Sequence, residues 1–474
     1  MSLTKLEQYI KSGKRCHLVG IGGISVSALA EVLHGMGVNV SGSDANKSPI
    51  TDKMQELGIP VTIGHAAENI NGADYIIRTA AVRSDNAEIK AALDCGIPIF
   101  ERAEAWGYIM SKYKDAICVA GVHGKTSTTS MLTHVLLAAD LDPTIMIGGN
   151  LPILGSGYRA GNGNVIALES CEYYNSFHKF FPTIAVILNV DADHLDFFKD
   201  IDDLISSFRK FASLVPESGY IVCNGDNRNT MEALIPLERD LLTFGFSQTR
   251  VCSHENGESG NNGVPIRVRG VNIDPSGRNP SMDVLFDEKP FCKVVLQIPG
   301  AHNLRNALAV VAVSIAMGIP ARVIEKGLYS YAGVGRRFEY KGKINGADVY
   351  DDYAHHPSEL RATLNAISTL GYTRIILAFQ PHTFSRTKAL FDDFVTELSR
   401  PEFTFLAPIY SAREKDDRTI SSDVLAKAVK NTCCHGSFSD IINEIKRITR
   451  PGDIILTAGA GDIFKVGEAL VGAG

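Results

Sequence analysis

The segment Gly121-Val122-His123-Gly124-Lys125-Thr126 combines residue types that bind phosphate groups. It follows the apolar stretch Ala116 to Ala120, which predicts a buried strand, and a helical pattern runs on from Thr126. Backbone N–H groups and a helix N-terminus favour an anion, the Lys125 ammonium would reach the terminal phosphates, and the Thr126 hydroxyl would bind Mg²⁺. The loop is a shortened variant of the GxxxxGKS/T pattern, because Val119 stands where that pattern needs glycine. We predict that it binds a nucleoside triphosphate.

Acidic and polar side chains follow two further apolar stretches. Glu169 ends one of them, and Asp193 and His194 come just after the next. Because the carboxyl ends of parallel strands share one edge of a sheet, these side chains should lie near the phosphate loop. Glu169 and His194 are therefore candidate magnesium ligands alongside Thr126. A loop turn for Asp193 and a helix cap for Asp191 are the alternative interpretations.

A second glycine turn, Gly20-Ile21-Gly22-Gly23-Ile24-Ser25, follows the apolar stretch Cys16 to Val19. With Asp44 at the end of the next predicted strand, it resembles a dinucleotide-binding fingerprint, although Ser25 occupies the place of the third glycine. A pyrophosphate at this helix N-terminus fits the pattern, and a diphosphate of another kind fits as well as that of NAD. Close packing of the glycines without a ligand is the alternative interpretation.

Two polar segments later in the chain follow predicted strands. They are Asp351-Asp352-Tyr353-Ala354-His355-His356-Pro357 and Phe379-Gln380-Pro381-His382-Thr383-Phe384-Ser385-Arg386. We expect both at the same edge of a sheet, where Arg386 would hold a carboxylate in a charge-assisted pair. The adjacent residues His355 and His356 would point apart, which makes a helix cap or a contact between domains at least as good an interpretation as a metal site.

The elements that position these segments alternate between strand and helix along the chain. A length of 474 residues fits about three domains. The alternation predicts an α/β protein with a Rossmann-like N-terminal domain at residues 1–111. A central domain at 112–334 would hold a P-loop ATPase-type parallel sheet, and 335–474 would form a Rossmann-like C-terminal α/β domain.

Three finer expectations concern the second and third domains. From Phe246 to Pro290 the composition shifts to Gly, Asn, Ser and Pro, which predicts an antiparallel appendage to the central sheet or a mobile excursion. The Gly-rich, charged segment Gly333 to Gly342 predicts a hinge. In the C-terminal domain the pattern predicts a single helix from Arg386 to Leu398.

Composition excludes several classes of protein. The 47 Lys and Arg against 53 Asp and Glu give a net charge of −6, without the basic excess of a nucleic-acid-binding surface. The nine cysteines are odd in number and form no CxxC pair, which is typical of a reducing cytosol. The longest apolar run, Ala307 to Ile319, is too short to span a bilayer. We expect a cytoplasmic enzyme with no nucleic-acid or membrane partner.

Three ordered motifs resemble those of a known family, the Mur ligases, which are ATP-dependent amide-forming enzymes of peptidoglycan synthesis. The segment Gly121 to Thr128 resembles the family's ATP loop, Asn189 to His194 its NxxxDH motif, and Gly300 to Asn306 its GxHNxxN motif. Further segments resemble the members that join L-alanine to UDP-N-acetylmuramate: Gly20 to Ser25 with Ser41 to Asp44, Asp351 to Pro357, and Phe379 to Arg386 with Tyr410 to Lys415.

The resemblance implies a role for each candidate residue. Catalysis would involve Lys125, His194 and Arg337, and Mg²⁺ would be held by Thr126, Glu169 and His194. ATP would be bound by Gly121, His123, Gly124, Lys125, Thr126, Ser127, Asn303, Arg337 and Asp352, with Asp351 as the alternative to Asp352 at the ribose. The UDP-sugar would be bound by Gly22, Gly23, Ser43, Asp44, His65 and Thr79, and L-alanine by His382 and Arg386.

The resemblance also implies a reaction. The γ-phosphate of ATP would convert the lactyl carboxylate of UDP-N-acetylmuramate into an acyl phosphate, and the amine of L-alanine would then attack it. The chain departs from many relatives at Thr383, where some have arginine, so the alanine carboxylate would rely mainly on Arg386. It also reads Glu-Ser-Cys-Glu-Tyr from Glu169, in place of the commoner Glu-Ala-Asp-Glu-Ser.

Three other functions remain open at this point. A ligase that adds a preformed murein peptide to the same sugar nucleotide would differ mainly in the pocket of the third domain. An NAD-dependent dehydrogenase would use the Gly20 to Asp44 segment and would leave the ATP loop without a role. A regulatory nucleotide-binding protein would not couple ATP consumption to an acceptor and an amine. No oligomeric state is predicted.

Overall fold

A computed structural model describes residues 6–79, 82–193, 197–249, 265–412, 414–416, 418–434 and 436–472. Three sheets of five, ten and six strands follow one another along the chain, each flanked by helices. This confirms the predicted α/β class with three domains, while the exact boundaries stay predictions. None of the described helices is both long enough and apolar enough to cross a membrane.

The first sheet is entirely parallel, in the order β3-β2-β1-β4-β5. Its strands are Arg15–Val19 (β1), Asn39–Asp44 (β2), Val61–Ile63 (β3), Tyr75–Arg78 (β4) and Ile99–Glu101 (β5). Its helices are Ile24–Gly35 (α1), Pro49–Glu56 (α2), Ala87–Asp94 (α3) and Arg102–Met110 (α4), with a 3₁₀ turn at Ala67–Ile70. From β1 the chain adds β2 and β3 on one side and then β4 and β5 on the other side. The glycine turn after β1 therefore lies at a topological switch point, where ligands of such sheets bind.

The central sheet has the order β15-β14-β13-β12-β11-β10-β6-β9-β7-β8. Its strands are Asp115–Ala120 (β6), Thr144–Leu151 (β7), Ser156–Arg159 (β8), Val165–Glu169 (β9), Ile184–Ile187 (β10), Tyr220–Asn224 (β11), Leu241–Gly245 (β12), Val268–Asp274 (β13), Ser281–Phe286 (β14) and Lys289–Val295 (β15). Across the sheet, the seven neighbouring strands β13, β12, β11, β10, β6, β9 and β7 pair in parallel. At the two edges, β14, β15 and β8 are antiparallel to their neighbours.

The antiparallel appendage predicted within 246–290 is therefore present. It is continuous with the central sheet, because Phe244 of β12 pairs in parallel with Val268 of β13. The part of this segment at 250–264 lies outside the described residues.

Helices cover both faces of the central sheet and explain why its inner strands β6, β9 and β10 are almost continuously apolar. They are Lys125–Ala138 (α5), Ile201–Ala212 (α6), Arg228–Leu234 (α7), Ala301–Ala316 (α8) and Ala321–Tyr329 (α9), with 3₁₀ segments at Pro152–Leu154, Tyr173–Lys179 and Ile235–Leu237. Helix α8 is buried without interruption from Ala307 to Ser314, since it packs between α5 and the strands.

The third sheet has the order β16-β17-β21-β18-β19-β20, with only β16 antiparallel to its neighbour. Its strands are Glu339–Ile344 (β16), Ala347–Asp352 (β17), Ile375–Phe379 (β18), Phe403–Leu406 (β19), Thr432–Cys434 (β20) and Ile454–Ala458 (β21). Its helices are Pro357–Ser368 (α10), Phe384–Ala389 (α11), Phe391–Leu398 (α12), Ser422–Ala428 (α13), Phe438–Ile448 (α14) and Phe464–Leu470 (α15).

The prediction of a single helix from Arg386 to Leu398 is wrong. Leu390 leaves the helical backbone conformation (φ −111°, ψ 27°) and separates α11 from α12. The break allows Leu390 and Phe391 both to pack on the core of the third domain. The sequence contains no Gly or Pro at this point that would have signalled it.

Candidate active site

The phosphate loop leaves β6 near the middle of the central sheet, between β9 and β10. Gly121 (φ 141°) and Gly124 (φ 86°) have backbone angles that disfavour other residues. A Cβ on Gly121 would lie 2.9 Å from the Leu188 Cβ, and one on Gly124 would lie 2.7 Å from the Asn306 Oδ1. Both glycines are therefore required by backbone conformation and by close approach. Gly124 is the N-cap of α5, so the loop ends at a helix N-terminus that favours an anion.

Asn189 fixes the outer part of this loop. Its side-chain oxygen accepts a hydrogen bond from the His123 N–H at 2.8 Å, and its NH₂ group donates to the His123 carbonyl at 2.9 Å. The first residue of the NxxxDH motif thus holds the loop in shape from the end of the neighbouring strand.

Lys125 lies inside the loop, where its Nζ donates to the carbonyl oxygens of Gly121 (2.5 Å) and Val122 (3.2 Å). It also forms an ion pair with Glu172, at 3.1 Å between Nζ and Oε2, and Glu172 is buried. Burial opposes the charge on the lysine, but the Glu172 carboxylate outweighs it and raises the pKa of Lys125. The ammonium stays charged. Sequence reasoning had not assigned Glu172 a role.

Thr126 and Glu169 lie side by side at the start of α5. The Thr126 hydroxyl donates to Glu169 Oε2 at 3.2 Å, and the Gly148 N–H donates to Glu169 Oε1 at 2.6 Å. Burial raises the pKa of Glu169, although Gly148 and Lys125 act against this. A carboxylate and a hydroxyl supply the oxygen donors that Mg²⁺ prefers.

The third predicted metal ligand, His194, lies outside the described residues. Within the described ranges, no three His, Cys, Asp or Glu side chains converge in a metal-binding cluster. The pair Thr126 and Glu169 supplies two adjacent oxygen donors of the kind that Mg²⁺ binds, and the role of His194 stays a prediction.

A cavity of about 340 Å³ opens beside the phosphate loop, between the central and third domains. The predicted ATP-site residues that line it are His123, Gly124, Ser127, Asn303, Arg337 and Asp352. Gly121 in the adjoining loop and Lys125 and Thr126 in the first turn of α5 do not line this cavity. Asn303 is buried, and its NH₂ group donates to the Pro299 carbonyl at 2.7 Å.

Asp352 and Asp351 end the same strand but have different surroundings. Asp352 lines the cavity and accepts hydrogen bonds from the Ala354 N–H (2.9 Å) and the Thr363 hydroxyl (3.0 Å). Burial raises the pKa of Asp352 to about 6. Asp351 does not line the cavity and pairs with Arg336 at 3.0 Å. Of the two carboxylates, Asp352 is therefore the one that the cavity exposes.

His123 joins the phosphate loop to α10 of the third domain. Its Nε2 lies 2.9 Å from the Ser358 hydroxyl, and its Nδ1 lies 3.3 Å from Glu359 Oε1. Arg337 approaches the same carboxylate at 3.8 Å. Although burial acts in the opposite direction, electrostatic interactions with His355, His123 and Arg337 hold the pKa of Glu359 well below its ordinary value.

Of the two adjacent histidines, His356 is both the helix cap and a contact with the central domain, whereas His355 packs on His382 within the third domain. His356 caps α10, where its Nδ1 accepts from the Ser358 N–H at 3.2 Å, and its ring lies 4.9 Å from that of His123. The ring of His355 lies 5.5 Å from that of His382. The sequence signal for this junction was the His-Pro-Ser-Glu segment, which has the spacing of a capping box, but Ser358 and Glu359 were not assigned to the site.

The glycine turn of the first domain is tied to the end of β2. Asp44 Oδ2 accepts from the Gly22 N–H at 2.9 Å, and the Ser43 carbonyl accepts from the N–H groups of Gly20 (2.8 Å) and Ile21 (3.0 Å). A Cβ on Gly20 would lie 2.9 Å from the Thr79 methyl group. Gly23 is the N-cap of α1. Among the predicted UDP-sugar residues, Gly22, Gly23, Ser43, Asp44 and Thr79 therefore surround one turn.

A buried carboxylate that the sequence did not reveal lies beneath this turn. Glu88 of α3 is fully buried and accepts hydrogen bonds from the Ser43 hydroxyl (2.7 Å) and the Asn69 amide (2.5 Å). His65 Nδ1 lies 3.3 Å from the same carboxylate, and His17 Nε2 lies 3.8 Å away. Burial opposes the charge of this carboxylate, but the hydrogen bonds that it accepts have the larger effect and lower the pKa of Glu88 to about 2. Glu88 links Ser43 and His65, two of the residues that the resemblance implies for the UDP-sugar.

His382 and Arg386 meet at the start of α11. Arg386 Nη1 lies 3.0 Å from His382 Nδ1, and Arg386 Nη2 pairs with Asp193 Oδ1 at 2.8 Å. His382 stacks on Tyr410 with 5.7 Å between ring centroids. In the predicted Tyr410 to Lys415 run, Arg413 lies outside the described residues. Asp193 is thus an ion-pair partner from the central domain and not a simple turn residue.

Comparison with known proteins assigns each of the three domains to one family. Residues 15–114 match the family description "Mur ligase family, catalytic domain", 119–314 match "Mur ligase middle domain", and 336–461 match "Mur ligase, glutamate ligase domain".

Relatives and solved structures resemble the chain over nearly its whole length. A Clostridium tetani protein named UDP-N-acetylmuramate--L-alanine ligase is 44% identical over 97% of this chain and 98% of its own length. The crystal structure of UDP-N-acetylmuramate-alanine ligase from Thermotoga maritima is 27% identical, with a TM-score of 0.78 over 96% of this chain and 98% of that one. A murein peptide ligase from Psychrobacter arcticus shares the fold at 21% identity, with a TM-score of 0.70 over 97% and 98% of the two chains. The chain belongs to the Mur ligase family.

Proposed function

We propose that this chain joins L-alanine to the lactyl carboxylate of UDP-N-acetylmuramate, with conversion of ATP to ADP and phosphate, in the synthesis of peptidoglycan precursors. The observation that carries the substrates is the 44% identity to a ligase of that name over nearly the whole of both chains. The geometry supports the same reaction, because a phosphate loop, a cavity between two domains and a second glycine turn at a helix N-terminus belong to one molecule.

ATP would occupy the cavity and the phosphate loop. The Lys125 ammonium would exchange its carbonyl contacts for phosphate oxygens while Glu172 keeps it in place. Arg337 and Ser127 would contact the phosphates from the cavity, Asn303 would meet the adenine, and the Asp352 carboxylate would accept from the ribose hydroxyls. Because Arg337 and Asp352 belong to the third domain, nucleotide binding would hold that domain against the central one.

Thr126 and Glu169 would hold a magnesium ion, with His194 as the third ligand expected from the resemblance. The ion would neutralise charge on the β- and γ-phosphates. Glu169 suits this role because a buried carboxylate is stabilised in its charged form by a cation.

The reaction would proceed in two balanced steps. An oxygen of the lactyl carboxylate attacks the γ-phosphorus and ADP leaves, which forms an acyl phosphate. The neutral amine of L-alanine then attacks the acyl carbon, loses a proton, and expels inorganic phosphate. Lys125 and Arg337 would offset negative charge on the transferred phosphoryl group, and the protein would otherwise act by alignment of three substrates.

The other two substrates would approach from opposite sides. The first-domain turn at Gly22 and Gly23 would bind the diphosphate of the sugar nucleotide, with Ser43, Asp44 and Thr79 around it. His65 would be positioned through Glu88. On the other side, Arg386 and His382 would bind the carboxylate of L-alanine, which is a charge-assisted contact of the kind that arginine favours.

ADP and phosphate release in the presence of magnesium tests the proposal directly. The assay combines ATP and UDP-N-acetylmuramate with L-alanine, glycine, L-serine or the tripeptide L-Ala-D-Glu-diaminopimelate. We expect turnover that requires the sugar nucleotide and prefers L-alanine. Preference for the tripeptide would instead identify a murein peptide ligase, and turnover without an amine or acceptor would contradict ligation altogether.

A further inference from the structure

Arg102 is a cation at the boundary between the first two domains, and no role has so far been assigned to it. It begins α4, and its Nη1 donates to the Ser25 hydroxyl at 2.5 Å. Ser25 lies in the first turn of α1, directly after the glycine turn, and its hydroxyl donates to the sulfur of Met146 in β7 of the central domain at 2.7 Å. Arg102 therefore lies where the glycine turn docks on the central sheet.

The guanidinium of Arg102 lacks the partners that a partly buried arginine requires. Within the described parts of the chain, no carboxylate lies within the 4.0 Å of an ion pair, and Ser25 is its one hydrogen-bond acceptor. Ser25 is itself shared, because the indole N–H of the fully buried Trp106 donates to the same hydroxyl at 3.2 Å. A guanidinium carries five N–H donors, and the neighbouring Glu101 carboxylate acts on this charge without forming an ion pair, so burial still lowers the pKa of Arg102.

The position of Arg102 relative to the phosphate loop indicates what would compensate it. Helix α4, which begins at Arg102, packs on the 3₁₀ segment Tyr173–Lys179 of the central domain. That segment begins directly after Glu172, the ion-pair partner of Lys125 in the phosphate loop. The helix that begins at Arg102 thus contacts both Ser25, beside the turn proposed for the diphosphate, and the segment that follows Glu172, beside the loop proposed for the γ-phosphate. A substrate that spans the two sites would cross the domain boundary at which Arg102 lies.

We propose that Arg102 binds an anionic oxygen group of the sugar nucleotide, at the crossing between the first and central domains. The inference rests on the proposed function. Two groups of that substrate have the required chemistry, namely the diphosphate and the lactyl carboxylate, and both match the planar fork of an arginine. Ser25 holds the guanidinium in place through one N–H and leaves the others to the ligand.

Binding measurements can distinguish the two groups. Calorimetry would measure the Kd of the full-length wild-type protein, Arg102→Met and Arg102→Lys for UDP, UDP-N-acetylglucosamine and UDP-N-acetylmuramate. UDP and UDP-N-acetylglucosamine carry the diphosphate without the lactyl carboxylate. The intrinsic fluorescence of Trp106 is a second measure of ligand binding, because Trp106 is the single tryptophan of the chain and shares Ser25 with Arg102.

We expect Arg102→Met to raise the Kd for UDP-N-acetylmuramate at least about tenfold, as is usual for loss of one partner of a desolvated charge pair. An equal loss for all three ligands assigns Arg102 to the diphosphate, and a loss confined to UDP-N-acetylmuramate assigns it to the carboxylate. Arg322→Met is the matched control, since Arg322 is exposed on α9, and it should leave every Kd unchanged.

The inference is overturned if folded Arg102→Met binds UDP-N-acetylmuramate within twofold of the wild type. Should that variant not fold, Arg102→Lys is judged by the same criterion, because lysine keeps the charge but not the fork. An assay of L-alanine ligation by the wild-type protein distinguishes a failure of this inference from a failure of the proposed function. An active wild type with an unchanged variant rejects only the role of Arg102, whereas an inactive wild type that binds no sugar nucleotide rejects the proposed function as well.

Discussion

Arg386 of the third domain and Asp193 of the central domain form an ion pair, with 2.8 Å between Nη2 and Oδ1 and side chains that are only 10% and 11% exposed. The guanidinium proposed to bind the carboxylate of L-alanine is therefore positioned by a residue from another domain. It follows that the amino-acid site is complete only when the two domains are together.

Arg386→Ala should lower kcat/KM for L-alanine by about 100-fold, because loss of a buried charged partner costs about 3 kcal/mol. The KM for ATP should stay within about twofold of the wild-type value, since Arg386 does not line the nucleotide cavity. Steady-state kinetics with each substrate varied in turn would measure both. Lys388→Ala is the control, because Lys388 is exposed on the same helix, and equal losses in the two variants would contradict the assignment.

Lys125→Ala should abolish ligation and also destabilise the fold. Removal of the lysine leaves the buried Glu172 carboxylate without its ion-pair partner in the loop, at a cost of about 3 kcal/mol. The double variant Lys125→Ala/Glu172→Gln should recover most of the stability but none of the activity. Urea unfolding and ADP release would separate the two effects, and recovery of turnover in the double variant would refute the proposed role of Lys125.

Asp352 predicts a pH dependence of stability. Burial raises its pKa from 3.8 to about 6, so the native state binds this proton more tightly than the unfolded chain. The group therefore favours folding below pH 4, and that contribution is lost as the pH rises through about 6. Asp352→Asn should gain stability over the wild type above pH 6, by at most about 3 kcal/mol. The gain should vanish near pH 4.

The same variant tests the ribose contact. An ionised Asp352 is the better hydrogen-bond acceptor, so wild-type affinity for ATP should fall as the pH drops below about 6. Asp352→Asn should bind ATP weakly at every pH and show no such fall. Calorimetric titrations at pH 5.5 and 8 would measure this, and a parallel pH dependence in the variant would argue against the contact.

Glu88→Gln should weaken both the first domain and its binding of the sugar nucleotide. The pKa of Glu88 is lowered from 4.5 to about 2, so its stabilising contribution is present above pH 4.5 and is lost as the pH falls toward 2. We expect the free energy of unfolding to fall by about 2 to 3 kcal/mol at pH 7 and by less at acidic pH. The KM for UDP-N-acetylmuramate should rise while that for ATP does not.

Glu68→Gln is the matched control for this experiment. Glu68 is exposed in the 3₁₀ turn at Ala67–Ile70, close in sequence to Asn69, which contacts Glu88. It should leave stability and kinetics unchanged. If Glu88→Gln lowered stability without a change in the KM of the sugar nucleotide, Glu88 would support the fold alone.

Residues at strand ends could be placed from the sequence because parallel strands bring their carboxyl ends to one edge. Thr126 and Glu169 are 43 positions apart and are in hydrogen-bond contact, as the strand pattern and the family motifs together led us to expect. The glycine loops were equally visible, since few other residues adopt their backbone angles.

Partners contributed by helices were not predictable in the same way. Glu88 lies in α3, where one carboxylate in an ordinary helical pattern gives no sign of being buried against Ser43 and Asn69. Glu359 and Asp193 gained their roles only from the packing of the third domain on the second. Such contacts depend on the relative position of domains, which no local pattern encodes.

The third sheet is completed by a strand from far along the chain. Strand β21 lies between β17 and β18, which precede it by about a hundred and by about eighty residues. During synthesis on a ribosome, β17 and β18 therefore emerge long before the strand that must separate them. A nascent or prematurely terminated chain that stops before Ile454 would contain the complete phosphate loop but no central strand to support Asp352. Translation must pass this point before a nucleotide can be enclosed.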